Sequence, residues 1–158
     1  MKLIGIDPKT GNEVNVQVDR IEGSFFESMR SFEMSEDAIK RLIDKLDISA
    51  DAKSLLYTFS KATIKAGEYV IKIGRKILDY VCLVYREYPN VTFGIVFGAI
   101  LGALISAIPF LGIVLGPIVT PIAMAIGLVG GLALDVQNKV IEHQITKIVS
   151  SFAPLSAK

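Results

Sequence analysis

The sequence predicts a mainly α fold with a short N-terminal β-hairpin, amphipathic helices and an apolar transmembrane helical hairpin. Three observations predict it. Apolar and polar residues alternate near the start, apolar residues then recur at helical spacing, and residues 88–134 contain no Asp, Glu, Lys, Arg or His. Hydrophobic residues reach 51% of the chain while charged residues keep 21%, so the apolar excess is concentrated in one block rather than spread evenly. The chain divides accordingly into a β-hairpin and connecting segment (1–34), an amphipathic helical region (35–88), an apolar membrane hairpin (89–134), and a C-terminal amphipathic helix with its tail (135–158).

The hairpin is read from Leu3, Ile4 and Ile6, a turn at 7–12, and Val14, Val16 and Val18 at every second position. Pro8 fixes φ early in the turn, and Gly11 can take the left-handed conformation that a bulged loop requires. Two strands alone are marginal in water, so the ribbon is expected to pack on helices or on a neighbouring subunit. Residues 24–34 are ambiguous, with Phe25, Phe26, Met29 and Phe32 spaced for one helical face. Ser35 is a candidate N-cap, with Glu36 and Asp37 in the first turn where acids suit the helix dipole. Ile39, Leu42, Ile43 and Leu46 form the stripe of that helix, and Ser49 or Asp51 can cap the next.

That next helix is expected to be long. Leu55, Phe59, Ala62, Ala66, Val70, Ile73, Ile77 and Val84 keep a helical period until Pro89. Between 53 and 87 there are seven bases against three acids, and Lys61, Lys65, Lys72, Arg75 and Lys76 are candidate membrane-surface residues on a basic amphipathic helix. The alternative is an ordinary solvated helix face. A further amphipathic helix follows the block, carried by Val140, Ile141, Ile145, Ile148 and Val149 and stopped by Pro154.

The apolar block is too long for one crossing, because about 20 helical residues span a hydrocarbon core. Two passes are expected: a first helix over 92–108, and a second over 122–134 extended backwards through part of 111–121. The joint between them holds Pro109, Gly112, Gly116, Pro117 and Pro121, the candidate hairpin-turn residues, and serves either a full two-span hairpin or a re-entrant tip. Val, Ile, Leu and Phe supply 23 of the residues at 91–134. At about 0.3–0.6 kcal/mol each, they favour insertion by at most roughly 7–14 kcal/mol. The soluble alternative must wrap the block in protein. With an even number of crossings both termini lie on one side, which the preceding bases place in the cytoplasm.

Gly94, Gly98 and Gly102 recur every four residues and Ser106 continues the row, so all four stack on one side of the first apolar helix. Ala123, Gly127 and Gly131 make a second row. Such rows let helix backbones approach closely, either closing the hairpin within one chain or packing between subunits of a homo-oligomer.

Enzymatic constellations are missing from the sequence, and no catalytic residue, cofactor or metal is expected. His143 stands alone without a metal-ligand pattern, and Cys82 has no partner for an intrachain disulfide. A net charge of +1 gives no reason to expect nucleic acid. The absence of ionisable residues from the block argues against a proton relay or coupled transporter. The Asn90-Val91-Thr92 acceptor match is read as chance. The expected partner is a lipid bilayer.

Amphipathic helices leading to a Gly-rich apolar hairpin, then a short polar helix after Asp135 and Lys139, resemble the end of a pore-forming colicin-type domain over residues 55–152. The resemblance is one of arrangement. It implies a hairpin held inside a helical bundle and released at a bilayer, here behind a smaller shell that suits a locally delivered or intracellular effector. Two functions are therefore expected: an oligomeric hairpin protein that permeabilises or remodels a bilayer, or a non-conducting anchor or scaffold that presents its soluble helices to a protein partner.

Overall fold

The computed structural model describes residues 1–30, 35–88, 92–126 and 139–156, with Lys139 and Val140 described by backbone alone. Strands β1 (Lys2–Ile6) and β2 (Glu13–Gln17) pair antiparallel, as their alternation predicts. The turn is built on Asp7. Its carboxylate accepts from the Lys9 N–H at 2.8 Å and from the Thr10 hydroxyl at 2.6 Å, and Gly11 takes φ 78°. These bonds stabilise an Asx-type turn that Pro8 begins.

Three helices follow: α1 (Gly23–Arg30), α2 (Glu36–Lys45) and α3 (Ala50–Phe59). Ser35 and Ser49 cap α2 and α3, each accepting a backbone N–H at 3.1 Å. Their inward stripes bury Ile39 and Ile43 on α2 and Leu56 and Phe59 on α3. The ambiguous segment thus resolves into α1, which buries Phe25, Phe26 and Met29, while Phe32 lies outside the described residues.

The long helix expected over 55–84 is not formed. Instead α3 stops at Phe59, two strands follow as β3 (Thr63–Ala66) and β4 (Tyr69–Ile71), and only then comes α4 (Ile73–Glu87). The reason is local. Thr63, Ile64, Tyr69, Val70 and Ile71 are β-branched or aromatic, and Gly67 turns the chain with φ 60°. Ala62, Ile64 and Ala66 are buried at a period of two, whereas Val70, which the helical reading placed inside, is 46% exposed. Hence the expected amphipathic helical region at 35–88 contains half of a sheet. Strand order is β2-β1-β3-β4, with Leu3 opposite Ala66 and Ile64 opposite Ile71.

After α4 come α5 (Phe93–Ala107), α6 (Pro109–Ile126), α7 (Lys139–Ser151) and a short 3-10 turn at Ala153–Leu155. One face of the sheet, with Leu3, Gly5, Ile64 and Ala66, lies on the core. Helix α6 packs beneath β1 and β2, against α3 and against α5. The ribbon therefore packs on helices, one of the two settings expected for it.

Two glycines mark where elements pack too closely for a side chain. A Cβ at Gly5 would lie 2.3 Å from Val114 Cγ2, and one at Gly74 would lie 1.9 Å from the Phe59 carbonyl oxygen. Gly5 lets α6 seat on β1, and Gly74 lets the start of α4 rest on the end of α3, where its N–H donates to the Ala62 carbonyl at 3.2 Å.

The second apolar helix also differs from its expected course. Pro109, Gly112, Gly116, Pro117 and Pro121 do not form a turn; all five lie in α6, with Pro109 as its first residue. Pro is well suited to that position because the first N–H of a helix has no intrahelical partner. The turn is confined to Ile108, whose N–H donates to the Leu104 carbonyl and whose carbonyl accepts from Leu111. Pro117 and Pro121 each remove one donor, and the carbonyls deprived of it belong to Ile113 and Pro117, both on exposed positions of α6.

Candidate membrane-active hairpin

Helix α5 begins where the Thr92 hydroxyl accepts the Ile95 N–H at 3.3 Å, within a residue of the expected start. Phe93 and Phe97 anchor it. Phe93 meets Tyr85 of α4 edge-on at 5.6 Å, and Phe97 meets Phe59 of α3 edge-on at 5.7 Å. Gly94 and Gly98 are buried within the protomer, Gly102 is half-buried and Ser106 is exposed. The first three residues of the row thus turn into the fold, and its last faces outward. Gly112 of α6 brings the two helices together near their joint, since a Cβ there would stand 3.0 Å from Ile105 Cγ2.

Helix α6 is two-faced in position but not in chemistry. Its inner face buries Phe110, Val114, Leu115, Ile118, Ile122 and Ala123. The outer face carries Pro109, Ile113, Pro117, Thr120 and Met124, all exposed, with Ile113 at 59% and Met124 at 76%. Gly116, beside this stripe, has open space above it. Among the described residues, α6 is the one helix with both the length and the hydropathy to cross a membrane, properties that suit a bilayer span and a core helix equally. The two crossings expected from sequence reduce to this one by length. Gly127 and Gly131 of the second small-residue row, and the rest of the expected second helix to 134, lie outside the described residues.

The five candidate surface cations do not share a helix. Lys61 stands in the turn after α3, Lys65 on β3 and Lys72 just before α4, all three exposed. Arg75 is half-buried on α4 and Lys76 is buried, its ammonium 5.2 Å from the centroid of the Tyr80 ring. Residues read as one basic face therefore split between the segment around β3 and β4 and the first turn of α4. Asp79 is buried on the same helix one turn on. Burial, reinforced by Asp79 and opposed by Arg86, pushes the Cys82 thiol up to about 12, so it stays protonated and unreactive at neutral pH. His143 is exposed on α7. The described residues contain no group of three His, Cys, Asp or Glu able to hold a metal ion.

Two features escaped the sequence reading. The exposed stripe of α6 was hidden by the turn assigned to its prolines. The seat for α6 on β1 had a visible signal, the single Gly5 interrupting an apolar strand, because glycine inside a strand often marks a close backbone approach.

No known protein family matches the chain, and neither the curated proteins nor the solved structures include a match.

Proposed function

We propose that this is a membrane-acting, non-enzymatic protein whose α5–α6 hairpin engages a lipid bilayer and permeabilises or remodels it. The observation that carries the reading is the outer stripe of α6. Ile113 and Met124 are large apolar side chains turned to solvent in the middle of a segment without any charge. Packing within the protomer does not require them, and with Pro109 and Pro117 they line one exposed face of α6, an apolar surface suited to interaction. Lipid suits it better than a polar partner surface, because no ionisable group on α5 or α6 would be desolvated. The cations exposed before the hairpin, Lys61, Lys65 and Lys72, support a location at an anionic membrane surface. Assembly through the glycine row of α5 would follow insertion, since Gly94 and Gly98 are covered in the folded protomer.

A second reading, a non-conducting anchor, is favoured by one dimension. At about 1.5 Å per residue α5 is only about 22 Å long, short of a hydrocarbon core near 30 Å. Co-flotation with phosphatidylcholine and phosphatidylglycerol vesicles, followed by dye release from the same vesicles, tests both. Flotation with rapid release supports permeabilisation, and flotation without release supports the anchor. A protein that stays at the bottom of the gradient with either lipid removes the membrane reading altogether.

A further inference from the structure

We propose that the open edge of the sheet is a self-pairing surface, on which β2 of one copy joins β2 of a second copy antiparallel about a twofold axis at Asn15. Strand β2 is the outermost strand in the order β2-β1-β3-β4, and no described residue pairs with its far side. The opposite edge is treated differently. There β4 is only three residues long, and Phe26 of α1 stacks on its Tyr69 at 4.4 Å.

The direction of the backbone groups follows from the bonds β2 already makes. Met1 and Val18 exchange both N–H···O bonds at 2.9 Å, and the Asp7 N–H donates to the Asn12 carbonyl at 2.9 Å. Because bonded and non-bonded pairs alternate along an antiparallel ladder, Val14 and Val16 point their N–H and C=O groups at β1. Glu13, Asn15 and Gln17 point theirs away from it. Natural sheets blunt such an edge with Lys, Pro or a bulge, and Glu-Val-Asn-Val-Gln contains none of these.

Chemistry then selects the occupant. The segment reads almost the same in both directions. With Asn15 opposite Asn15 of a second copy, Glu13 faces Gln17 and Val14 faces Val16. The outward residues coincide, so Glu13, Asn15 and Gln17 meet Gln17, Asn15 and Glu13 as bonded pairs. The half-buried valines meet valines on the core side of the sheet. No charge stands opposite a like charge, which a cross-strand pair would penalise. This surface is separate from the lipid-facing stripe, and the inference holds whether or not the membrane reading does.

Sedimentation equilibrium of the full chain in density-matched detergent tests it. The wild type is expected to dimerise. Asn15→Pro deletes an outward N–H while sparing the bonds to β1, and should yield monomer with an unchanged circular dichroism spectrum. Gln17→Glu puts Glu opposite Glu13 twice per dimer and should weaken association about fivefold, whereas Gln17→Lys should strengthen it by a similar factor that shrinks in high salt. The opposed pair keeps the test decisive if the proline variant fails to fold. A monomeric wild type at about 100 μM, a dimer indifferent to all three changes, or Gln17 variants that shift association in the same direction would each overturn the pairing.

Discussion

Helices α5 and α6 share a composition and differ in setting. Both lack charge, and both bury aromatic and branched side chains, yet α5 turns only Ile95 among its large side chains more than a third outward, at 39%, while α6 keeps an apolar row in solvent along its length. Packing accounts for the apolar residues of α5 and leaves those on the outside of α6 unexplained. Apolar content alone therefore does not distinguish a core helix from a membrane helix. The proposed membrane role rests instead on the side chains that packing leaves over.

Substitution separates the two roles. The largest effect is expected at Leu104 of α5, which is fully buried: Leu104→Ala should cost about 2–5 kcal/mol in urea denaturation and leave vesicle affinity of the folded protein unchanged. The reverse pattern is expected on α6. Ile113→Asp with Met124→Asp should lower vesicle partitioning by roughly tenfold or more while moving stability by less than about 1 kcal/mol, since both positions are exposed. If the pair unfolds the protein, the outer stripe is a packing surface and the contrast fails.

A smaller effect sharpens the contrast from the neighbouring helix. Cys82 lies on α4, which packs against α5, and its thiol pKa is raised in the fold. A raised acid favours the folded state below the ordinary thiol value of 9.0, and that contribution is lost as pH climbs toward 12. Stability should fall by about 1 kcal/mol between pH 9 and 10 relative to a Cys82→Ala variant, as read by urea midpoints. Ellman's reagent should not react at pH 8 until the α4–α5 contact opens.

Much of this arrangement was legible in the residues. Thr92 and Ile108 bracket α5 as the sequence indicates, and Ser35, Ser49 and the Asp7 turn take their expected positions, because caps and turns act over three or four residues. The stretch at 62–71 misled, since Ala62, Ala66 and Val70 fit a helical period while Ala62, Ile64 and Ala66 fit a strand, and pairing with β1 decided between them. Sequence carried no sign of that pairing, which joins residues some sixty positions apart. The prolines of α6 misled for a different reason: the carbonyls they leave without an i+4 donor belong to exposed positions, Ile113 and Pro117, a placement that exists only once the helix is packed. The outer stripe, the part of the candidate site that matters most, follows from that three-dimensional fact.

The same two prolines set a depth gauge. Ile113 and Pro117 each present a carbonyl oxygen without its helical donor, on the side of α6 that meets the bilayer in the proposed function. Acyl chains offer such an oxygen nothing, whereas the glycerol and headgroup layer still holds water. Helix α6 would therefore float rather than sink, lying along the boundary until another backbone or side chain supplies the two missing donors.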